Sequence, residues 1–163
     1  MEPLSRHLNL RVLGLLLPLV FLVHVAEEAP SFVTWFNSLV TPGITERLFL
    51  TVNLIAFLIT LALGLALAAA RERAIAVMTV GWVGFLMLAN GIFHIVATIV
   101  HWRYSPGTVT AALCYLPISY LVMRSVVREC GVSWPAITAV ALLSGVPMYV
   151  HGYLIVFEGS RLF

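Results

Sequence analysis

The chain has no lysine and no aspartate. Its charge rests on nine arginines and seven glutamates, a tenth of the 163 residues. A net charge of +2, spread along the chain, leaves no basic face of the kind nucleic acid requires, so no nucleic-acid partner is expected. Cysteine is scarce. Cys114 and Cys130 form no CxxC pair and no disulfide framework, and they read as two free thiols. GxSxG, a glycine-rich phosphate loop and HExxH are all missing, which argues against nucleophile-elbow hydrolases, P-loop enzymes and zincin proteases.

What remains is apolar. Hydrophobic residues make up 61% of the chain and the mean hydropathy is +1.04, well beyond a water-soluble domain. Most side chains must face lipid or other apolar helices. The basic start followed by the apolar run 12–26 reads as a first membrane helix rather than a cleaved leader, since no small-x-small site precedes Glu27. Further apolar runs place spans at about 10–28, 44–70, 74–101, 108–127 and 134–157, each near the roughly 20 residues that cross a bilayer. Residues 31–40, short and aromatic, suit an interfacial or re-entrant segment with Trp35 at headgroup level. Ser105, Pro106 and Gly107 are ordered as a type II turn prefers. The expected fold class is therefore all-α: a polytopic transmembrane helix bundle of about five spans with one short extra segment, forming a single domain over residues 1–163.

Five spans place the termini on opposite sides. Arg6, Arg11, Arg71, Arg73, Arg124 and Arg128 fall on one side, and Arg47, Arg103 and Arg161 on the other. The positive-inside rule then sets the N-terminus in the cytoplasm and the C-terminus outside. Helix rise converts position into depth. His24 lies roughly 6 Å, Asn53 roughly 10 Å, His94 roughly 12 Å and His151 roughly 9 Å below one and the same surface. His101 is near the rim. The polar residues thus converge on one half of the bilayer, whichever side is outside.

Ionisable groups at membrane depth are rare and usually functional. His24, Glu27 and Glu28 stand at i, i+3 and i+4, so one helix face can present all three. Asn90, His94 and His101 share a face of the third span by the same rule. His24, Glu27, Glu28, His94, His101 and His151 form a His/carboxylate set suited to one or two divalent ions, zinc or iron. A metal would also offset the burial of two carboxylates. Glu27 and Glu28 are the candidate catalytic groups, with a carboxylate as general base. Asn53, Asn90 and Tyr104 are expected to support the ligands rather than join them. Plainer readings stand beside these. Glu28 can mark the water interface, His101 can be an interfacial residue beside Trp102, and His94 can form an ordinary interhelical hydrogen bond. Haem ligation by His94 and His151 is a further option that the adjacent carboxylates disfavour.

His24-Val25-Ala26-Glu27-Glu28 followed by Tyr104-Ser105-Pro106-Gly107 resembles the HXXEE family of membrane proteins, which pairs HxxEE with a further histidine and YxPG. His94 or His101 is the counterpart of that histidine. The resemblance covers about the first two-thirds of the chain and implies an integral membrane protein without a settled activity. His151 lies outside it. The expected function is a metal-dependent membrane enzyme acting on a lipid-like or apolar small molecule, hydrolytic with one ion or oxygen-dependent with two. The alternatives are a proton- or metal-handling transporter subunit and a structural subunit without chemistry.

Overall fold

The computed structural model describes residues 9–70 and 72–160. Arg6, Arg71 and Arg161, which enter the arginine count, lie outside these residues. The described chain is mostly helical, without strands, and five helices are long and apolar enough to cross a membrane. These are α1 (Leu10–Glu28), α3 (Glu46–Ala70), α4 (Arg73–His101), α5 (Thr108–Cys130) and α6 (Trp134–Glu158). The short α2 (Phe32–Asn37) lies between the first two. Lipid offers no partner to a free peptide group, so the helix satisfies its own backbone. Ends are closed by polar groups. The Asn9 side chain accepts the Val12 N–H at 3.1 Å, and Pro135 takes the first turn of α6.

The α4 helix is the hub and packs against α3, α5 and α6, while α1 packs against α3 and α5. The crossing of α1 with α3 is a close one. A Cβ on Gly14 would come to 2.5 Å from the Gly64 carbonyl oxygen, so only glycine permits this approach. Leu13, Leu17 and Phe21 of α1, Val80 and Met87 of α4 and Val122 of α5 belong to the main core. Trp82 donates to the Thr60 hydroxyl at 2.9 Å, tying α4 to α3. The outer faces carry Leu50, Leu54, Leu58 and Leu143, all exposed, as lipid-facing residues should be.

The short aromatic segment expected after α1 is present as α2, and its tryptophan packs inside the protein. Trp35 is buried with Phe36, Phe93 and Ile155 in a second apolar cluster and meets the Phe93 ring edge-on, rather than being presented to headgroups. The aromatics of α2 have protein partners within reach, and packing wins over the interface. Trp102, 93% exposed just beyond the end of α4, is the residue placed as a belt aromatic. Three helices contain widened, π-type turns, at Gly84–Ala89, Ala111–Tyr115 and Leu154–Glu158. The first ends immediately before Asn90, and the second contains Tyr115. Both residues reach the site described next.

Candidate metal centre

The end of α1 carries His24 and Glu28 one turn apart, and α4 brings His94 to meet them. All three are buried, at 1%, 5% and 0% exposure. Glu28 Oε1 lies 3.6 Å from His24 Nε2 and 3.0 Å from His94 Nε2. One ligand atom from each residue lies within 4.8 Å of the others. Donor atoms held about 2.0–2.1 Å from a common tetrahedral ion stand about 3.3 Å apart, so this spacing suits one ion.

The far sides of both imidazoles are tied down. His24 Nδ1 meets the Thr110 hydroxyl at 2.7 Å, and His94 Nδ1 meets the Ser105 hydroxyl at 3.0 Å. The Gly107 carbonyl, 3.3 Å from the Thr110 hydroxyl, can take its proton; in the tautomer where Thr110 accepts from His24 Nδ1–H, His24 Nε2 keeps a lone pair. The Asn90 amide, 3.3 Å from that Nε2, fits the same tautomer. His94 Nε2 lies 3.0 Å from Glu28 Oε1, an ion pair when the ring is protonated and two donor atoms facing one position when it is not. Imidazoles whose outer nitrogen is anchored and whose inner nitrogen faces a carboxylate are arranged as metal ligands usually are. The three side chains could therefore hold a metal ion between them.

Glu27 is placed differently. Its carboxylate accepts the backbone N–H groups of Gly107 at 3.2 Å, Val109 at 3.1 Å and Thr110 at 2.7 Å, and the Tyr104 hydroxyl donates to it as well. It is an anion on the N-terminus of α5, where the open N–H groups and the helix dipole favour negative charge. The carboxylate in turn pushes the Tyr104 phenol, already raised by partial burial, up to about 12.

The turn that follows α4 has a second purpose. Thr108 N donates to Ser105 O at 3.1 Å and Gly107 has φ +101°, as a type II turn requires. A Cβ on Gly107 would sit 2.8 Å from His24 Cε1 and 3.0 Å from His94 Cε1. The turn is thus a lid lying directly on both rings. Tyr115 stacks on His24 from another side, with ring centroids 4.0 Å apart, and its hydroxyl is buried without a hydrogen-bond partner.

Of the expected site residues, the fold gathers His24, Glu28 and His94 into one cluster, with Asn90 against it. Tyr104 reaches the set through Glu27. His101 is half-buried near the end of α4 and is not part of the cluster, and neither is Glu27. His151 and Asn53 line a cavity that Glu28 also borders. Ser105, Thr110, Gly107 and Tyr115 are additions. The YxPG run already contained Ser105 and Gly107, whereas a lone Thr or Tyr in an apolar helix gives no such signal.

A family profile described as "Protein of unknown function with HXXEE motif" matches residues 15–122. The match spans well over half the chain and includes both motifs. The chain belongs to the HXXEE family. No curated protein and no solved structure matches the chain significantly. In this HXXEE protein the motif letters divide into two tasks. His24 and Glu28 face His94, while Glu27, Tyr104 and Gly107 build and hold the lid over them.

Proposed function

We propose that the protein is a membrane-embedded, metal-dependent enzyme acting on a lipid-like or apolar small molecule. His24, Glu28 and His94 hold one divalent ion, zinc or iron. The observation that carries this reading is that both Nε2 atoms face a single carboxylate oxygen while both Nδ1 atoms are anchored on hydroxyls. Three protein ligands leave a position open, as in catalytic rather than structural sites. A bound ion would supply Lewis-acid activation of a polar group on the substrate. The chain's own contribution is orientation and exclusion of water. Thr110 and Ser105 fix the imidazoles, and the Gly107 turn covers them. Glu28 provides the negative charge. Glu27, engaged by four donors, acts as a positioning residue.

A transporter would need polar groups to continue across the bundle. Among the described residues, the buried histidines and carboxylates are His24, Glu28 and His94. The buried hydroxyls of Thr60, Thr79 and Ser119 donate to carbonyls of their own helices. Chemistry at one depth is the better reading. The arginine distribution supports a cytoplasmic N-terminus, which puts the site in the outer half of the bilayer.

The test is elemental analysis of purified protein. Near-stoichiometric zinc or iron in the wild type, lost in Glu28→Gln and His94→Ala, is the expected result. Folded protein that stays metal-free after incubation with either metal would overturn the proposal.

A further inference from the structure

The helices α3 and α6 both flank α4 but scarcely touch each other. Between them lies a cavity of about 310 Å³. Phe49, Val52 and Ala56 of α3 line one wall and Met148 and Ile155 of α6 the other; α4 contributes Leu86 and Phe93, and Phe32 and Phe36 of α2 close the end. Its size is at the lower end for small-molecule sites, and like them it is mostly apolar with a few polar groups. The rim is not sealed by protein: Leu48 and Val52 line it and are 46% and 56% exposed. On a membrane span this exposure means contact with lipid, so the entrance faces the bilayer.

The polar groups decide what fits. Asn53, Asn90, His151 and Glu28 line the cavity, and among the described residues no arginine does. Asn90 and Glu28 also belong to the histidine cluster, so the cavity and the proposed ion share a wall. Asn53 spends one amide hydrogen on the Phe49 carbonyl and keeps a hydrogen and a carbonyl oxygen to offer. Carboxamides and imidazole pair with hydroxyl, carbonyl and amide groups. A phosphate would enter low-dielectric surroundings beside Glu28 with no guanidinium to balance it, at high cost.

We infer that this cavity binds a single-chain amphiphile with an uncharged, hydrogen-bonding head, such as a fatty alcohol, aldehyde, amide or ester. It enters sideways from the bilayer between α3 and α6, head towards Asn90 and Glu28. The inference deepens the enzyme reading by naming the substrate class of that site.

Photo-crosslinking of purified protein in lipid nanodiscs tests it. The probes are a long-chain alcohol carrying a diazirine and an alkyne, and a phosphatidic acid with the same reporter chain. The alcohol is expected to label peptides containing Phe49–Ala56 and Met148–Ile155, and unlabelled alcohol but not phosphatidic acid should compete. Ala56→Trp, which fills the cavity, should lower labelling about tenfold, while Leu143→Trp on the lipid-facing surface should leave it unchanged. If Ala56→Trp does not fold, the competition in wild-type protein still decides. Labelling spread evenly over the lipid-facing helices, or phosphatidic acid labelling the cavity as well as the alcohol, would overturn the inference. Metal is measured on the same samples. Metal-free wild-type protein that still labels in the cavity would separate failure of the metal reading from failure of this one. Metal-loaded protein without cavity labelling would mark the reverse.

Discussion

Glu27 accepts the backbone N–H of Thr110 at 2.7 Å, and the hydroxyl of the same Thr110 stands 2.7 Å from His24. The end of α1 therefore fixes the start of α5, and the start of α5 fixes an imidazole on α1. At the other end of this helix pair the relation is reversed. Glu129, near the end of α5, accepts the Leu10 N–H at the start of α1, with both carboxylate oxygens at 3.3 Å. The two antiparallel helices are each capped by a glutamate of the other, and the site lies against the better-bonded cap.

The two adjacent glutamates should separate cleanly by mutation. Glu27→Gln leaves the three ligands in place and should still bind metal to near-stoichiometric level at saturation. It should lose about 0.5–2 kcal/mol of stability, the usual range for a lost helix cap. Glu28→Gln should bind no metal. Thermal unfolding in detergent alongside metal content reads both. A Glu27→Gln protein of unchanged stability that has lost its metal would reverse the assignment.

Anchoring of the imidazoles should be measurable as affinity. Thr110→Val and Ser105→Ala remove the groups bonded to His24 Nδ1 and His94 Nδ1. Each is expected to weaken metal binding by about 10–100-fold with helicity unchanged, as read by competition with a chelator of known affinity. Affinities equal to wild type would mean that the hydroxyls do not orient the rings.

Gly107 tolerates no side chain on two counts. Its φ of +101° is strained for other residues, and a Cβ would press on both rings. Gly107→Ala should cost about 1–3 kcal/mol from backbone strain alone and should displace the histidines as well. The expected outcome is lowered thermal stability together with lost metal. A variant with full metal content would show that the turn does not lie against the rings.

Tyr104 supplies a pH dependence outside the membrane spans. Its folded value of about 12 exceeds the ordinary 10.0, because partial burial and the Glu27 carboxylate both disfavour the phenolate. The neutral phenol is thus favoured by folding. Its contribution is complete below pH 10 and is lost as pH rises through about 12. Difference absorbance between wild type and Tyr104→Phe should show this late phenolate, and Glu27→Gln should move it back towards 10. A Tyr104 that titrates at 10 in the wild type would show that the bond to Glu27 is not formed.

Much of the architecture was readable along the chain because lipid simplifies the problem. An apolar run near 20 residues must be a helix, and Pro or polar clusters mark where it ends. His24, Glu28 and His94 stood out because ionisable residues at that depth are costly. His101 shares a face with His94 at a spacing of seven, yet two further turns carry it beyond the cluster to the end of the helix. Trp35 looked like an interfacial aromatic until α2 folded it against Phe93. Thr110 and Tyr115 had no signal of their own, since a lone hydroxyl in an apolar helix marks no site by its spacing, and Ser105 stood in the YxPG run only as its variable letter.

The sequence by itself determined the helical spans, the common depth of their polar residues and the family, because these depend on length, hydropathy and motif. Tertiary structure alone decided that neighbouring Glu27 and Glu28 have different partners. Successive residues on a helix point about 100° apart, since 3.6 residues make a turn, and which helix meets each direction is a matter of packing. The same packing put a glycine turn on two imidazoles and left α3 and α6 apart around a cavity. No spacing along a single chain encodes either outcome.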